Sequence, residues 1–301
     1  MRYYSLNDYC KKTFGEKVYK LSLNAGMTCP NRDGSLSYTG CFYCSEGGSG
    51  DFASDSSLPI AAQLSEARRR LSSKTDCRKF IAYFQAFTNT YAPVEYLEKI
   101  FYEAISDPSV CVLSIGTRTD CFNDEIYDLL SRLNNIKPVW IELGLQSIHQ
   151  STLDAMNTHT KVSDFTVVCN ELNKRSIKVI AHLILGLPGE TKEMMLESVD
   201  FAAKSNIFGI KLQLLHVLRN TKLAELYEKD PFPLFSLEEY CDFIVDCIER
   251  LPPGMVIHRM TGDGPRKLLI APMWSTDKKR VLNTINQNFI KRNTYQGRFL
   301  M

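Results

Sequence analysis

Cys29, Cys41 and Cys44 stand in one N-terminal stretch, Gly26-Met27-Thr28-Cys29-Pro30-Asn31-Arg32-Asp33-Gly34 followed by Thr39-Gly40-Cys41-Phe42-Tyr43-Cys44. Three thiolates can hold three irons of a cubane iron–sulfur cluster and leave the fourth iron open to a substrate or cofactor. A structural zinc site is closed, normally by four Cys or His ligands. No histidine precedes His149, and the next cysteine, Cys77, lies beyond a helical segment. A zinc knuckle that borrows Cys77 is the rival reading. Electron-transfer clusters use four cysteines, and this loop has no fourth. Disulfides are disfavoured, because several of the ten cysteines sit in apolar runs and nothing marks the chain for secretion.

Such a loop needs a scaffold, and the rest of the chain supplies a regular one. Short runs rich in Val, Ile and Leu at 18–23, 79–84, 110–115, 139–143, 178–185 and 209–215 alternate with helical segments at 59–73, 94–105, 124–133, 163–174 and 191–203. This alternation predicts an α/β fold whose parallel sheet is covered by helices. Six units suit an open, partial barrel, and in barrels of this kind the chemistry lies at the C-terminal ends of the strands. The stretch Ser45-Glu46-Gly47-Gly48-Ser49-Gly50-Asp51 reads as a flexible loop just after the cysteines. Beyond Leu215 the pattern changes. Asp230-Pro231-Phe232-Pro233 breaks the chain, and then come a helix at 236–250, a short strand at 255–258, a glycine loop from His258 to Pro265 and a last helix at 278–289. A core of residues 1–218 and a small α+β C-terminal extension of residues 219–301 are expected, the latter as a surface for substrate or RNA.

With 301 residues and 44% apolar content the chain can bury a sizeable core. It has no run of eighteen apolar residues, and Met1 to Lys12 lack the apolar region of a signal peptide. A soluble cytoplasmic protein without membrane contact is expected. The net charge of +2 hides an asymmetry. Residues 223–250 are acidic, with Glu225, Glu228, Asp230, Glu238, Glu239, Asp242, Asp246 and Glu249 against Lys229 and Arg250. Residues 266–301 are basic, with Arg266, Lys267, Lys278, Lys279, Arg280, Lys291, Arg292 and Arg298 against Asp277. That basic end, with Tyr295 and Phe299, suits either a phosphate backbone or a solvated helix face.

The Cys-x11-Cys-x2-Cys loop, with an aromatic before its last cysteine, resembles the radical S-adenosylmethionine (SAM) superfamily. Lys20-Leu21-Ser22-Leu23-Asn24-Ala25-Gly26, running into Cys29-Pro30-Asn31-Arg32-Asp33-Gly34, resembles the branch of the Elongator catalytic subunit, and within it the bacterial YtqA/YhcC-like group. The resemblance implies a partial (β/α)6 radical SAM barrel. It also implies a 4Fe–4S cluster on Cys29, Cys41 and Cys44, and SAM chelated at the open iron. One-electron cleavage of SAM then gives methionine and a 5′-deoxyadenosyl radical that abstracts hydrogen from substrate. An electron donor such as flavodoxin or ferredoxin is implied as a partner.

The strand ends carry the polar residues that such a pocket needs. Gln85, Thr88 and Asn89 follow the second strand, where the family contacts the SAM amino group, although the usual glycines and carboxylate are missing. Thr117, Arg118 and Asp120 follow the third. Arg118 could hold a carboxylate or phosphate, or simply pair with Asp120 to brace the loop. Glu142, Gln146 and Ser147 on the fourth resemble cofactor-pocket residues, and a carboxylate inside an apolar strand needs a partner. Leu185 and Gly186 belong to a fifth-strand motif whose backbone packs along adenine in the family, and His182 on that strand is either barrel-facing or a satisfied core histidine. Lys211 and Gln213 share a face of the sixth strand. Met156-Asn157-Thr158-His159-Thr160 resembles the family's Asn-Arg-Gly-His element without its arginine and glycine. Lys211, Arg118 and His182 are the candidates for catalysis.

The Elongator branch implies a transfer-RNA substrate at the wobble uridine's 5-substituent. The chain ends too early for an acetyltransferase-like domain, so trimming an existing substituent is expected. For the YtqA-like group the resemblance implies conversion of 5-carboxymethylaminomethyl-uridine to 5-aminomethyl-uridine, with Lys211 or Arg118 holding the released acid's carboxylate. The rivals are a radical SAM enzyme acting on a small molecule or protein, and a non-catalytic metal- or RNA-binding module.

Overall fold

Every expected short apolar run becomes a strand of one sheet in the computed structural model, which describes residues 2–72, 76–262 and 264–300. Ser73, at the end of the expected 59–73 helix, and Asp263 of the glycine loop lie outside the described residues. The strands are β1 (Tyr19–Leu23), β2 (Phe80–Phe84), β3 (Val110–Thr117), β4 (Val139–Gln146), β5 (Lys178–Leu185), β6 (Gly209–Leu214), β7 (Val217–Leu218), β8 (Val256–Arg259) and β9 (Leu269–Ala271). The helices are α1 (Leu6–Phe14), α2 (Ile60–Ser72), α3 (Val94–Ser106), α4 (Asp124–Asn134), α5 (Gln150–Ala155), α6 (Val162–Lys174), α7 (Lys192–Lys204), α8 (Lys222–Lys229), α9 (Leu237–Glu249) and α10 (Lys278–Lys291).

The main sheet runs β1-β2-β3-β4-β5-β6-β8, with every neighbouring pair parallel. It is the partial barrel expected from the six βα units, with one strand more. The seventh strand, β8, comes from the C-terminal part of the chain and pairs with β6 at Gly209↔Val256 and Ile210↔Ile257. Sequence could mark 255–258 as a strand but not say which sheet takes it. An uncovered β6 edge would present a row of unpaired backbone groups, and β8 satisfies it. A short antiparallel pair, β7 with β9, stands apart from the sheet.

The period of two along each strand sorts side chains between two faces. Leu21, Leu23, Ala82, Phe84, Leu113, Ile115, Ile141, Leu143, Val179, Ala181 and Leu183 join the helices in the main core. The other face is layered. Its N-terminal layer is apolar, with Val18, Ile81, Val112, Trp140 and Ile180, and it is closed by Cys10 and Tyr9 of α1. One step on, at +2 along each strand, lie Lys20, Tyr83, Ser114, Glu142 and His182, with Lys211 on β6. Each such step rises about 7 Å along the strand. The sheet therefore has a dry plug below and a polar floor above it, open toward the strand C-termini.

Helix signals sit where the termini need donors satisfied. Ser236 and Glu239 form a capping box at the start of α9, and Thr191 caps α7 by accepting from the Met194 N–H. No helix among the described residues is long and apolar enough to cross a membrane.

Candidate active site

The C-terminal end of β1 delivers the chain into the cysteine loop, and backbone hydrogen bonds set the loop's shape. The Arg32 N–H donates to the Cys29 carbonyl at 2.8 Å, and the Cys44 N–H donates to the Cys41 carbonyl at 2.9 Å. The second turn brings Cys41 and Cys44 to one side. Neighbouring segments anchor the loop. Phe42 N–H donates to the Met156 carbonyl at 3.0 Å, and the Leu223 N–H donates to the Phe42 carbonyl at 2.9 Å. Asn31 and Asn157 tie the cysteine loop to the turn after α5: Asn31 Nδ2 donates to the Asn157 carbonyl at 2.6 Å, and Asn157 Nδ2 to the Gly40 carbonyl at 2.8 Å.

All three cysteines line a cavity of about 250 Å³ at the strand C-termini. Among the described residues no three His, Cys, Asp or Glu side chains converge on a single ion. A cubane cluster takes one thiolate at each of three irons, and three cysteines lining one cavity are the donor set it would need. The surroundings suit it as well. Asn31 Nδ2 also donates to Cys41 Sγ at 3.4 Å, a contact of the kind that orients and tunes cluster sulfurs. Arg32 donates to the Cys44 and Ser45 carbonyls at 2.9 and 2.7 Å. Burial pushes the Cys41 thiol up to about 11 and the Cys44 thiol up as well, so metal binding must displace their protons. Cys77 cannot serve as a fourth ligand. It precedes β2, at the opposite end of the strand from the cavity, and its Sγ lies 2.9 Å from the Lys17 carbonyl. No disulfide joins any of the cysteines.

Below the cysteines, the cavity wall carries Gln85, Thr88, Thr117, Arg118, Glu142, Gln146, His182, Lys211 and Gln213. Arg118 is committed locally. Its guanidinium makes two hydrogen bonds to Asp120, at 2.8 and 2.7 Å, and one to the Thr158 carbonyl at 3.0 Å. Gln146 ends β4 at a bulge with φ of 63°, a left-handed conformation that a non-glycine residue adopts at a cost. Its Oε1 is buried without a partner.

Five expected site residues stand outside the lining. Asp120 faces Arg118. Asn89 ties the ends of β2 and β3 by donating to the Phe84 and Gly116 carbonyls. The Ser147 hydroxyl donates to Glu190. Leu185 is core, and Gly186 turns the chain at φ of 92° after β5. Besides these five, His159 of the Asn157-Thr158-His159 element is a turn residue, with Nε2 2.9 Å from Asn157 Oδ1.

The floor is the most charged part of the site. Glu142, with an inaccessible side chain, accepts from Lys20 and Ser114 at Oε1 and from Lys211 and His182 at Oε2. Burial alone would push its carboxyl up, but Lys20 and Lys211 outweigh that and hold it well below the usual range. Burial, reinforced by Lys211, pushes His182 down to about 4, so its ring is neutral at pH 7. Sequence reasoning singled out Glu142, Lys211 and His182 but missed Lys20, Tyr83 and Ser114. The same signal was available at each, a polar residue at an alternate position in an apolar strand. His216 was also missed. Its ring lines the cavity beneath Gly262 and Gly264, where a Cβ would come within 2.3 and 2.5 Å of it. Only glycine lets that loop approach so closely.

The radical SAM superfamily profile matches residues 28–202, and a radical SAM C-terminal domain profile matches residues 207–291. YtqA of Bacillus subtilis is 42% identical over 298 residues, covering 99% of this chain and 92% of that protein. A tRNA uridine(34) acetyltransferase of Methanocaldococcus jannaschii is 26% identical over 169 residues, covering 53% of this chain and 30% of its own length. The fold matches the archaeal Elp3 of Methanocaldococcus infernus at a TM-score of 0.70 and 17% identity, over 93% of this chain and 64% of that one. A cysteine loop at the mouth of a parallel half-barrel and a family profile over most of the sheet thus agree, and the chain belongs to the radical SAM superfamily, in its YtqA/YhcC-like, Elongator-related group.

Proposed function

We propose that this radical SAM enzyme holds a 4Fe–4S cluster on Cys29, Cys41 and Cys44 and binds SAM in the cavity below them. Its substrate is then the 5-substituent of the wobble uridine in tRNA, converted from carboxymethylaminomethyl to aminomethyl. The observation that carries the reading is the three-cysteine loop opening onto a polar cavity at the strand ends. When bound, the cluster and SAM supply a hydrogen-abstracting radical. The chain's own residues prepare for it. Asn31 orients the Cys41 sulfur, and the Arg118–Asp120 pair braces the wall beside the cysteines. Gln85 Nε2 donates to the Ser49 carbonyl at 2.7 Å and ties the wall to the loop after the cysteines.

Two observations support tRNA. The name of the M. jannaschii relative places its activity on tRNA uridine 34. Arg266 and Lys267 stand exposed beside Gly264 and Pro265 of the cavity lining, where a phosphate backbone would pass. The reading also places the protein in the cytoplasm, with a flavodoxin or ferredoxin as electron donor. Mass spectrometry of tRNA nucleosides from a deletion strain tests it: 5-carboxymethylaminomethyl-uridine should accumulate and 5-aminomethyl-uridine disappear. An unchanged wobble profile sinks the substrate assignment. Anaerobic reconstitution should yield bound iron and sulfide and reductant-dependent formation of methionine and 5′-deoxyadenosine, which a metal- or RNA-binding module would not produce.

A further inference from the structure

We propose that Gln146, His182 and Lys211 read the imide edge of a uracil base, with Gln146 and Lys211 donating to its two carbonyls and His182 Nδ1 accepting from the N–H between them. The inference deepens the wobble-uridine reading and rests on it.

Strand register brings the three together. Gly144, His182 and Lys211 are cross-strand neighbours on β4, β5 and β6. Gly144 has no side chain, and the Gln146 amide takes its place: a Cβ at Gly144 would lie 2.7 Å from Gln146 Nε2. His182 and Lys211 are drawn to one point. His182 Nε2 donates to Glu142 Oε2 at 2.8 Å, and the Lys211 ammonium reaches the same oxygen. All three side chains line the cavity. The row therefore runs amide, imidazole, ammonium.

Hydrogen-bond capacity fixes what each member presents. Against burial, Lys20 and Lys211 keep Glu142 ionised, and a carboxylate only accepts. The proton between His182 and Glu142 therefore sits on Nε2. Burial, reinforced by Lys211, keeps the ring neutral at pH 7, so Nδ1 retains its lone pair. Among the described residues Nδ1 has no partner, yet it is not sealed in as both ring nitrogens of His258 are. Gln146 divides in the same way. Its Oε1 is buried, while Nε2 stays accessible and unbonded among the described residues. An ammonium has three N–H donors. Lys211 gives one to Glu142 and one to the Tyr83 hydroxyl at 3.1 Å, which leaves the third for the cavity. The wall thus offers donor, acceptor, donor.

Uracil complements that order. Its Watson–Crick edge presents a carbonyl, an N–H and a second carbonyl. Cytosine has a lone pair at N3 and would set it against the Nδ1 lone pair, leaving two acceptors unpaired. Adenine, the base of SAM, has no imide. Enzymes that act on a base take it out of the stack and read this same edge. With the imide on the polar floor, the far edge of the ring, which bears C5, turns back toward the cysteine loop. That edge is the one the proposed reaction must reach.

The test uses the cluster-loaded protein and anticodon stem-loop RNAs that differ only in the wobble base: uridine, N3-methyluridine or cytidine. Fluorescence anisotropy reads their affinities, and the free nucleosides repeat the series by calorimetry. Uridine should bind about tenfold more tightly than either rival, the loss expected when one buried hydrogen-bonding group goes unpaired. His182→Phe should bring uridine and N3-methyluridine within about twofold of each other. Gln146→Met should weaken both alike and keep their ratio at the wild-type value. SAM affinity should stay within about twofold of wild type in both variants. A merely structural His182 would lower both affinities and leave the ratio unmoved. The proposal is overturned if the wild-type protein binds uridine and N3-methyluridine equally, if His182→Phe keeps the wild-type ratio, or if Gln146→Met loses SAM in step with uridine. Should His182→Phe not fold by circular dichroism, the ligand series on the wild-type protein and on Gln146→Met decides. An unchanged wobble profile in the deletion strain together with the expected base discrimination would remove the carboxymethylaminomethyl assignment and leave the uracil site. A changed profile without discrimination would remove the uracil site alone.

Discussion

On the proposed reading, single residues around the cysteines divide between holding a cluster and tuning it. Replacing Cys29, Cys41 or Cys44 with alanine should abolish retained iron and sulfide after reconstitution while the thermal transition of the fold persists. Iron retained at wild-type stoichiometry in any of the three would overturn the ligand assignment. Asn31 is the tuning case, since it touches Cys41 Sγ and the Asn157 carbonyl together. Removing a hydrogen bond to a cluster sulfur leaves the reduced, more negative state less stabilised. Asn31→Ala should therefore shift the midpoint potential to more negative values, read by an electron paramagnetic resonance titration, and an unmoved potential would make Asn31 a loop anchor only. Sequence pointed to the cysteines through spacing, but Asn31 was visible only as part of a motif. Its partner Asn157 lies 126 residues away, and no local pattern announces such a contact.

At the level of elements, the charge asymmetry finds its explanation in packing. The acidic α9 and the basic α10 lie against each other, and Arg292 just past α10 reaches Asp246 at 2.6 Å and Glu249 at 2.8 Å. Glu249 is nearly inaccessible, so its charge needs that partner. Arg292→Ala should cost about 1–3 kcal/mol of stability, the penalty of leaving a buried charged group short of a partner. Urea denaturation measures it, and an unchanged midpoint would remove Arg292 from the interface. Lys267→Ala, at the exposed edge of the cavity mouth, should leave that midpoint alone. It should instead weaken tRNA binding and flatten its salt dependence, as loss of one phosphate contact does. The basic tail thus holds two populations, one neutralised within the fold and one facing outward, and composition alone could not separate them.

Over the whole molecule, buried histidines set a pH limit. His182 and His216 are both held at about 4, chiefly by burial, against an ordinary value near 6.5, and burial pushes His258 down as well. The unfolded chain then binds protons before the folded one as pH falls. Stability contributed by the neutral rings is present above about pH 6.5 and is lost as pH falls toward 4. Urea midpoints should therefore decline from pH 7 to pH 5, and equal midpoints would contradict buried neutral rings. The sequence by itself determined the cysteine loop, the order of the six βα units and the polar residues at strand ends, because spacing and period-two alternation are local properties. Only the tertiary structure decided that β8 completes the sheet, that α1 plugs it, that Arg118 is spent on Asp120, and that Lys20, Glu142 and Lys211 meet. Those residues come from β1, β4 and β6, and side chains so far apart in the chain become neighbours only when the sheet curls and its inward layer closes on itself.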